Sequence, residues 1–226
     1  MRDHHREFKD RLYGQFARLG KALSNPHRVE MLELLAQGER TVDSLATEIR
    51  LSVANTSQHL QALRRAALVD SRKEGLFVFY RLADPGVFDL SRALRTVAEQ
   101  QLADLQRLIR DHFGERSDAE PVEMDELLKR VRSKNVVVLD TRPSREYAAG
   151  HIAGAVSVPL DDLQRQLRQL PKEKDYVAYC RGPYCVYADR AVEILRAQGR
   201  RARRLREGFP EWRAAGLPVE TGIYPA

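Results

Sequence analysis

Phe8, Leu12, Phe16, Leu19 and Leu23 recur every three or four residues along the first stretch of the chain, a spacing that gathers them on one face of a helix. Ser24 and Asn25 ahead of Pro26 supply the cap and first turn of a second helix, whose Val29, Leu32, Leu35 and Ala36 are expected inside until Gly38 ends it. Thr41 opens a short helix, TVDSLATEI, that breaks at Arg50 and Leu51. Ser52 opens another, SVANTSQHLQALRRAAL, with Val53, Leu60, Leu63 and Ala67 as apolar positions and Asn55, Thr56, Gln58 and His59 on polar faces. The order is helix, tight turn, helix. A hairpin is predicted next, with β-leaning residues 68–71, a polar tip from Arg72 to Gly75 and a strand from Phe77 to Leu82. A last long helix, from about Pro85 to His112, carries Leu90, Leu94, Val97, Leu102, Leu105 and Ile109. This stripe is more than a small hairpin and helix pair can cover, so a second copy of the chain is expected against it.

The period changes after residue 121. Residues 111–122, DHFGERSDAEPV, are polar and interrupted by Gly114, Ser117 and Pro121, a composition that buries no core and reads as a linker. The predicted division is a mostly helical domain over 1–113, a linker over 114–121 and a second domain over 122–226. In that second domain β-branched runs such as NVVVLD and DYVAYC alternate with amphipathic stretches, the signature of an α/β domain with a parallel sheet.

A length of 226 residues accommodates two modest domains. Mean hydropathy of -0.50 and the absence of any apolar run near the roughly 20 residues that span a bilayer argue against a membrane protein. The start, MRDHHREFKDRLYGQF, is charged throughout and lacks a secretory signal core, so a cytoplasmic location is expected. The formal charge of +6 is spread evenly, with 18 basic against 15 acidic residues in 1–113 and 20 against 17 in the remainder. Charge alone therefore singles out no nucleic-acid face. The two cysteines, Cys180 and Cys185, are too few for a secreted disulfide framework; in a reducing compartment a pair this close is expected to be reactive or metal-binding.

A helix opened by short hydrogen-bonding side chains and followed by a basic hairpin suits double-stranded DNA, because a helix fits the major groove while Lys and Arg reach phosphates. Asn55 and Gln58 are the candidates for base edges. With N-P-H-R-V-E-M-L-E-L-L and L-S-V-A-N-T-S-Q-H-L-Q-A-L-R-R-A-A-L-V, residues 10–112 closely resemble the ArsR/SmtB family of dimeric winged-helix repressors. The resemblance implies a recognition helix over 52–66, presenting Ser52, Asn55, Thr56, Ser57, Gln58, His59 and Arg64 to operator DNA. It also implies a wing over 69–82 with Arg72 and Lys73, a homodimer built on the first and last helices, and repression. Members commonly sense metals, but here TVDSLA lacks the thiolate pair and His112 lacks its usual companions. His4, His5, His27, His59, His112 and His151 form no ligand spacing, and no metal or cofactor is expected.

Cys180 ends the strand DYVAYC, and the loop CRGPYC leads into the helix VYADRAVEILRAQG, the usual place for ligand chemistry in a parallel sheet. Successive amides of such a loop form an anion nest, and with the helix dipole they favour a thiolate. The segments D-T-R-P-S-R-E-Y-A-A-G-H-I-A-G-A-V-S-V-P and Y-C-R-G-P-Y-C closely resemble a rhodanese domain over about 122–218. That resemblance implies that Cys180 takes up a sulfane sulfur, cradled by amides from Arg181 through Gly182, Pro183 and Tyr184 to Cys185. It further implies that Asp140 and Arg142 brace the loop and that His151, Gly150 and Gly154 shape the following turn. Residues 180–185 make a six-residue loop, and Val186 stands where a phosphatase or arsenate reductase loop needs arginine. Cys185 departs from the common pattern, as either a second thiol that links to Cys180 directly or through sulfur, or a small hydrophobe packed at the helix start. Arg181 is either an anion contact or a solvated charge. The run RRARRLR, 200–206, reads as an edge strand with charged outer positions, and Trp212 as core.

The expected fold is thus two domains, a mainly α winged helix-turn-helix and an α/β rhodanese-like domain with a parallel central sheet. The expected function is a DNA-binding regulator whose Cys180 senses or handles reactive sulfur or oxidants; the alternative is a thiosulfate or persulfide sulfurtransferase with an attached DNA-binding domain.

Overall fold

Helix α1 (Arg2–Leu23) gives way at Ser24 and Asn25 to α2 (Pro26–Ala36), whose start is set by the Asn25 side chain accepting the Arg28 N–H. Short strand β1 (Arg40–Thr41) leads into α3 (Val42–Ile49), capped by Thr41 and ended by Arg50 in left-handed geometry. Helix α4 (Val53–Arg65) follows, then a hairpin of β2 (Val69–Glu74) and β3 (Phe77–Leu82), and α5 (Pro85–Gln101). Strands β1, β3 and β2 form one antiparallel sheet. Met31, Leu32, Leu35, Leu45, Leu60, Leu63 and Tyr80 fill the core between sheet and helices. The structure, a computed structural model, describes residues 2–114 and 121–222, and the chain divides into two compact units at residues 99 and 100.

Four details of this unit differ from the periodicity. Val53 is exposed because it is the first helical residue, and Thr56, not Val53, shares the inner face with Leu60 and Leu63. Ala67 is also exposed, since the helix ends at Arg65 and Ala67 takes a left-handed turn with φ 58°. The hairpin tip is only Gly75 and Leu76, because Arg72, Lys73 and Glu74 pair with Phe79, Val78 and Phe77. The last long helix is two helices: α5 stops at Gln101, Leu102 is extended, and α6 (Ala103–Phe113) starts afresh in the second unit. Phe8, Phe16 and Leu19 of α1, and Leu90, Leu94 and Val97 of α5, are exposed.

The second unit continues from α6 with α7 (Met124–Arg132), β4 (Val136–Asp140), α8 (Ser144–Ala149), β5 (His151–Ile152) and β6 (Val156–Ser157). It is completed by α9 (Leu160–Gln166), β7 (Asp175–Tyr179), α10 (Val186–Ala197), β8 (Ala202–Arg204), α11 (Phe209–Ala214) and β9 (Val219–Glu220). The main sheet is wholly parallel in the order β6-β4-β7-β8, so Ala202–Arg204 of the basic run form the edge strand, while Arg200 is buried and donates to the Leu170 and Pro171 carbonyls. Side chains alternate across β7: Tyr176, Ala178 and Cys180 join the core beneath α9 and α10, while Val177 and Tyr179 join Trp212, Phe209 and Leu127 on the other face. Of the expected linker, only Gly114 and Pro121 fall within the described residues. Among the described residues no helix is long and apolar enough to cross a membrane.

Candidate functional site

The helix expected to read DNA is positioned by its own cap. The Ser52 hydroxyl accepts the Asn55 N–H at 3.2 Å, which commits that side chain to starting α4. Asn55, Gln58 and Arg64 stand exposed on the outer face, with Ser57 and His59 half-buried beside them. Thr56 cannot join them: it is 0% exposed, and its hydroxyl donates to the Ser52 carbonyl. The His59 ring lies 5.8 Å from that of His27, and burial, followed by the charge of Arg28 and then His27, lowers its pKa from the usual value. On the hairpin both Arg72 and Lys73 are exposed; Arg72 pairs with Glu39 at 2.7 Å and with Glu74 and lies over the face of Phe79. Arg72 thus ties the wing to Glu39 while half of its side chain stays exposed.

The cysteine loop is built from the C-terminal ends of β4 and β7. Asp140 and Arg142 are both 0% exposed and form a bidentate pair, with Arg142 Nη2 donating at 2.6 Å to Asp140 and at 2.7 Å to the Gly150 carbonyl. Burial alone would pull the Arg142 pKa down, but the Asp140 charge and its hydrogen bonds prevail and raise it. The guanidinium also lies 4.3 Å from the Phe209 ring centre. The Tyr179 hydroxyl donates to Asp140 at 2.5 Å and accepts the Ile152 N–H; burial first and the Asp140 charge second push this phenol well above its ordinary pKa, so it stays protonated. Thr141 donates twice to the Tyr179 carbonyl, from its amide and its hydroxyl. Asp140 thus fixes the side chain of Tyr179, the residue before Cys180. In the turn after β5, Gly154 takes φ 75°, while buried His151 stacks on Tyr147 at 3.7 Å.

Cys180 and Cys185 are joined by a disulfide, their Cα atoms 6.1 Å apart, within the range a disulfide spans. Cys180 is 2% exposed, Cys185 is half-buried, and Cys185 is the N-cap residue of α10. The amide cradle is smaller than expected: Pro183 has no N–H, and the Cys185 N–H donates to the Gly182 carbonyl at 3.2 Å. At most Arg181, Gly182 and Tyr184 remain to supply it. Arg181 is neither a solvated charge nor an open anion contact, because its guanidinium makes a bidentate pair with Glu146 at 2.6 and 3.1 Å. Glu146 is 3% exposed; it lay within the motif PSREYAAG, but its partner is 35 residues away.

Gly208 is a second residue that motif reading missed. A Cβ there would fall 2.4 Å from the Arg181 carbonyl carbon and 2.5 Å from the Gly182 nitrogen, so the backbone before α11 rests directly on the loop. The Gly208 N–H donates to Glu211, and the Phe209 N–H donates to the Cys180 carbonyl. Gly208→Ala is expected to cost about 1–3 kcal/mol through overpacking, read as a lowered urea midpoint of the second unit.

Residues 25–71 match the bacterial regulatory protein, arsR family, and residues 123–215 match the rhodanese-like domain family. Over 214 residues, 95% of this chain and 94% of the relative, the sequence is 44% identical to HTH-type transcriptional regulator Rv0324 of Mycobacterium tuberculosis. Among solved structures, a homodimeric winged helix-turn-helix DNA-binding domain, fragment 1–100 of Mb0332 from Mycobacterium bovis, is 42% identical. It covers 42% of this chain and 89% of that one with a TM-score of 0.41. A rhodanese-related protein from Thermoplasma volcanium is 25% identical, covering 45% of this chain and 98% of that one, also with a TM-score of 0.41.

Proposed function

Because the chain belongs to the ArsR-family HTH-type transcriptional regulators that carry a rhodanese-like domain, we propose that it is a dimeric repressor whose operator affinity is set by sulfur chemistry at Cys180. The observation that carries this reading is the pairing of Cys180 with Cys185 inside one short loop. A Cys180 thiolate attacks the sulfane sulfur of a polysulfide, forming a Cys180 persulfide and releasing a polysulfide shorter by one sulfur. The Cys185 thiolate, favoured by its place at a helix N-terminus, then attacks Cys180 Sγ; the disulfide forms and hydrosulfide leaves. The loop thereby stores the signal instead of passing sulfur on. A thiol reductant returns it by attacking the more exposed Cys185.

Polysulfide treatment is expected to leave peptide 180–185 with its cysteines linked, two hydrogens lighter than the reduced peptide, and to leave Cys185→Ser as the Cys180 persulfide, one sulfur heavier. A loop unchanged in mass in both proteins would overturn the sulfur half of the proposal. Asp140, Arg142 and the loop length also suit a sulfurtransferase, and sustained transfer of sulfur from thiosulfate to cyanide would favour that second reading.

For the DNA half, we take Asn55 and Gln58 to read base edges while Ser52, Ser57, His59, Arg64, Arg72 and Lys73 support docking. Asn55→Ala and Gln58→Ala are each expected to weaken operator binding by about 1–3 kcal/mol, with little effect on non-specific DNA. Competition titrations check this; equal losses on both DNAs would assign these side chains to backbone contacts. The exposed apolar residues of α1 and α5 support a homodimer through those helices.

A further inference from the structure

We propose that Tyr184 reports the state of the Cys180–Cys185 pair to helix α6 through Phe113, so that bridging docks this helix and reduction loosens it. This rests on the sulfur-responsive reading above and names how the loop's state leaves the loop.

Tyr184 lies inside the ring of residues that the disulfide closes. The ring's backbone is fixed on three sides, by the Phe209 N–H on the Cys180 carbonyl, by Gly208 against the Arg181–Gly182 peptide, and by the Cys185 N–H on the Gly182 carbonyl. Opening the disulfide removes the covalent constraint from the turn that carries Tyr184 and leaves these weaker restraints. The Tyr184 ring stacks on Phe113, with centroids 6.3 Å apart and planes at 28°. Phe113 is the last residue of α6, and His112 packs edge-on against its ring at 4.8 Å.

Helix α6 suits this readout because its own burial is slight. None of its residues is fully buried, and partial burial falls on the single stripe Leu105, Ile109 and Phe113. An 11-residue helix without a buried face is marginal by itself, so one aromatic contact at its end changes how often it opens. The helix is joined to α5 by one extended residue, Leu102.

The test is hydrogen exchange of peptide 103–113 in the full chain, reduced with dithiothreitol or bridged with diamide, which forms the disulfide without sulfur uptake. Exchange is expected to be slower in the bridged state by about fivefold or more. Tyr184→Ala should exchange fast in both states although mass spectrometry shows its cysteines linked, and Tyr184→Phe should keep the wild-type difference. Equal exchange in the two wild-type states, or a difference that persists in Tyr184→Ala, overturns the relay. Operator affinity that responds to polysulfide while α6 does not would sink the relay and leave the functional reading intact; the reverse pattern would sink the functional reading alone.

Discussion

Arg142→Ala is expected to destabilise the second unit by about 3–5 kcal/mol, enough to unfold it at moderate temperature. The guanidinium supplies the countercharge of a fully buried carboxylate, hydrogen bonds to it from Nε and Nη2, and a hydrogen bond to the Gly150 carbonyl. Without it Asp140 keeps only the backbone N–H of residue 142 and the Tyr179 hydroxyl, and a buried charge with that little compensation is costly. Replacing both partners by apolar residues of similar volume, as in Asp140→Leu with Arg142→Met, should cost much less than the single change, because no charge is then stranded. Urea unfolding of the two variants checks this. A double variant as unstable as the single one would mean that the pair matters for its shape more than for its charge.

Cys180→Ser is expected to abolish the response to polysulfide, leaving operator affinity equal before and after treatment and equal to that of the reduced wild type. Serine keeps the size of the side chain beneath α10, where Cys180 packs with Ala188 and Val192, so the fold should survive. Its hydroxyl is a far weaker nucleophile than a thiolate, and the loop 180–185 carries neither a histidine nor a carboxylate to act as its general base. Cys185→Ser should behave differently, stopping at the persulfide. Comparing the two variants by mass and by anisotropy separates sulfur uptake from bridge formation. A Cys180→Ser protein that still responds would place the reactive group at Cys185 or outside this loop.

Much of this arrangement was legible in the sequence because it follows from local rules. Asn25, Thr41 and Ser52 cap the helices they precede, and a strand buried on both faces reads as an apolar run, as DYVAYC does. Cys180 at a strand end before a helix, and Asp140 with Arg142 at the neighbouring strand end, were visible for the same reason. What escaped depends on contacts distant in sequence. The Glu146 partner of Arg181 and the seat of Gly208 on the loop leave no periodic trace. Thr56 was assigned to the polar face by its chemistry, yet its hydroxyl is satisfied by the Ser52 carbonyl, which lets it sit inside. The break at Leu102 has neither proline nor glycine to announce it, so a continuous apolar stripe hid two helices.

If the chemistry of one loop changes how the protein holds DNA, operator affinity follows the state of Cys180 and Cys185. The most direct test is a fluorescence-anisotropy titration of operator DNA by one preparation in three successive states: reduced, treated with polysulfide, and reduced again. Kd is expected to shift by about fivefold or more on treatment and to be restored by reduction, with the Cys180–Cys185 link present only in the middle state. Three superimposed curves, with the link confirmed by mass in the second, would contradict it.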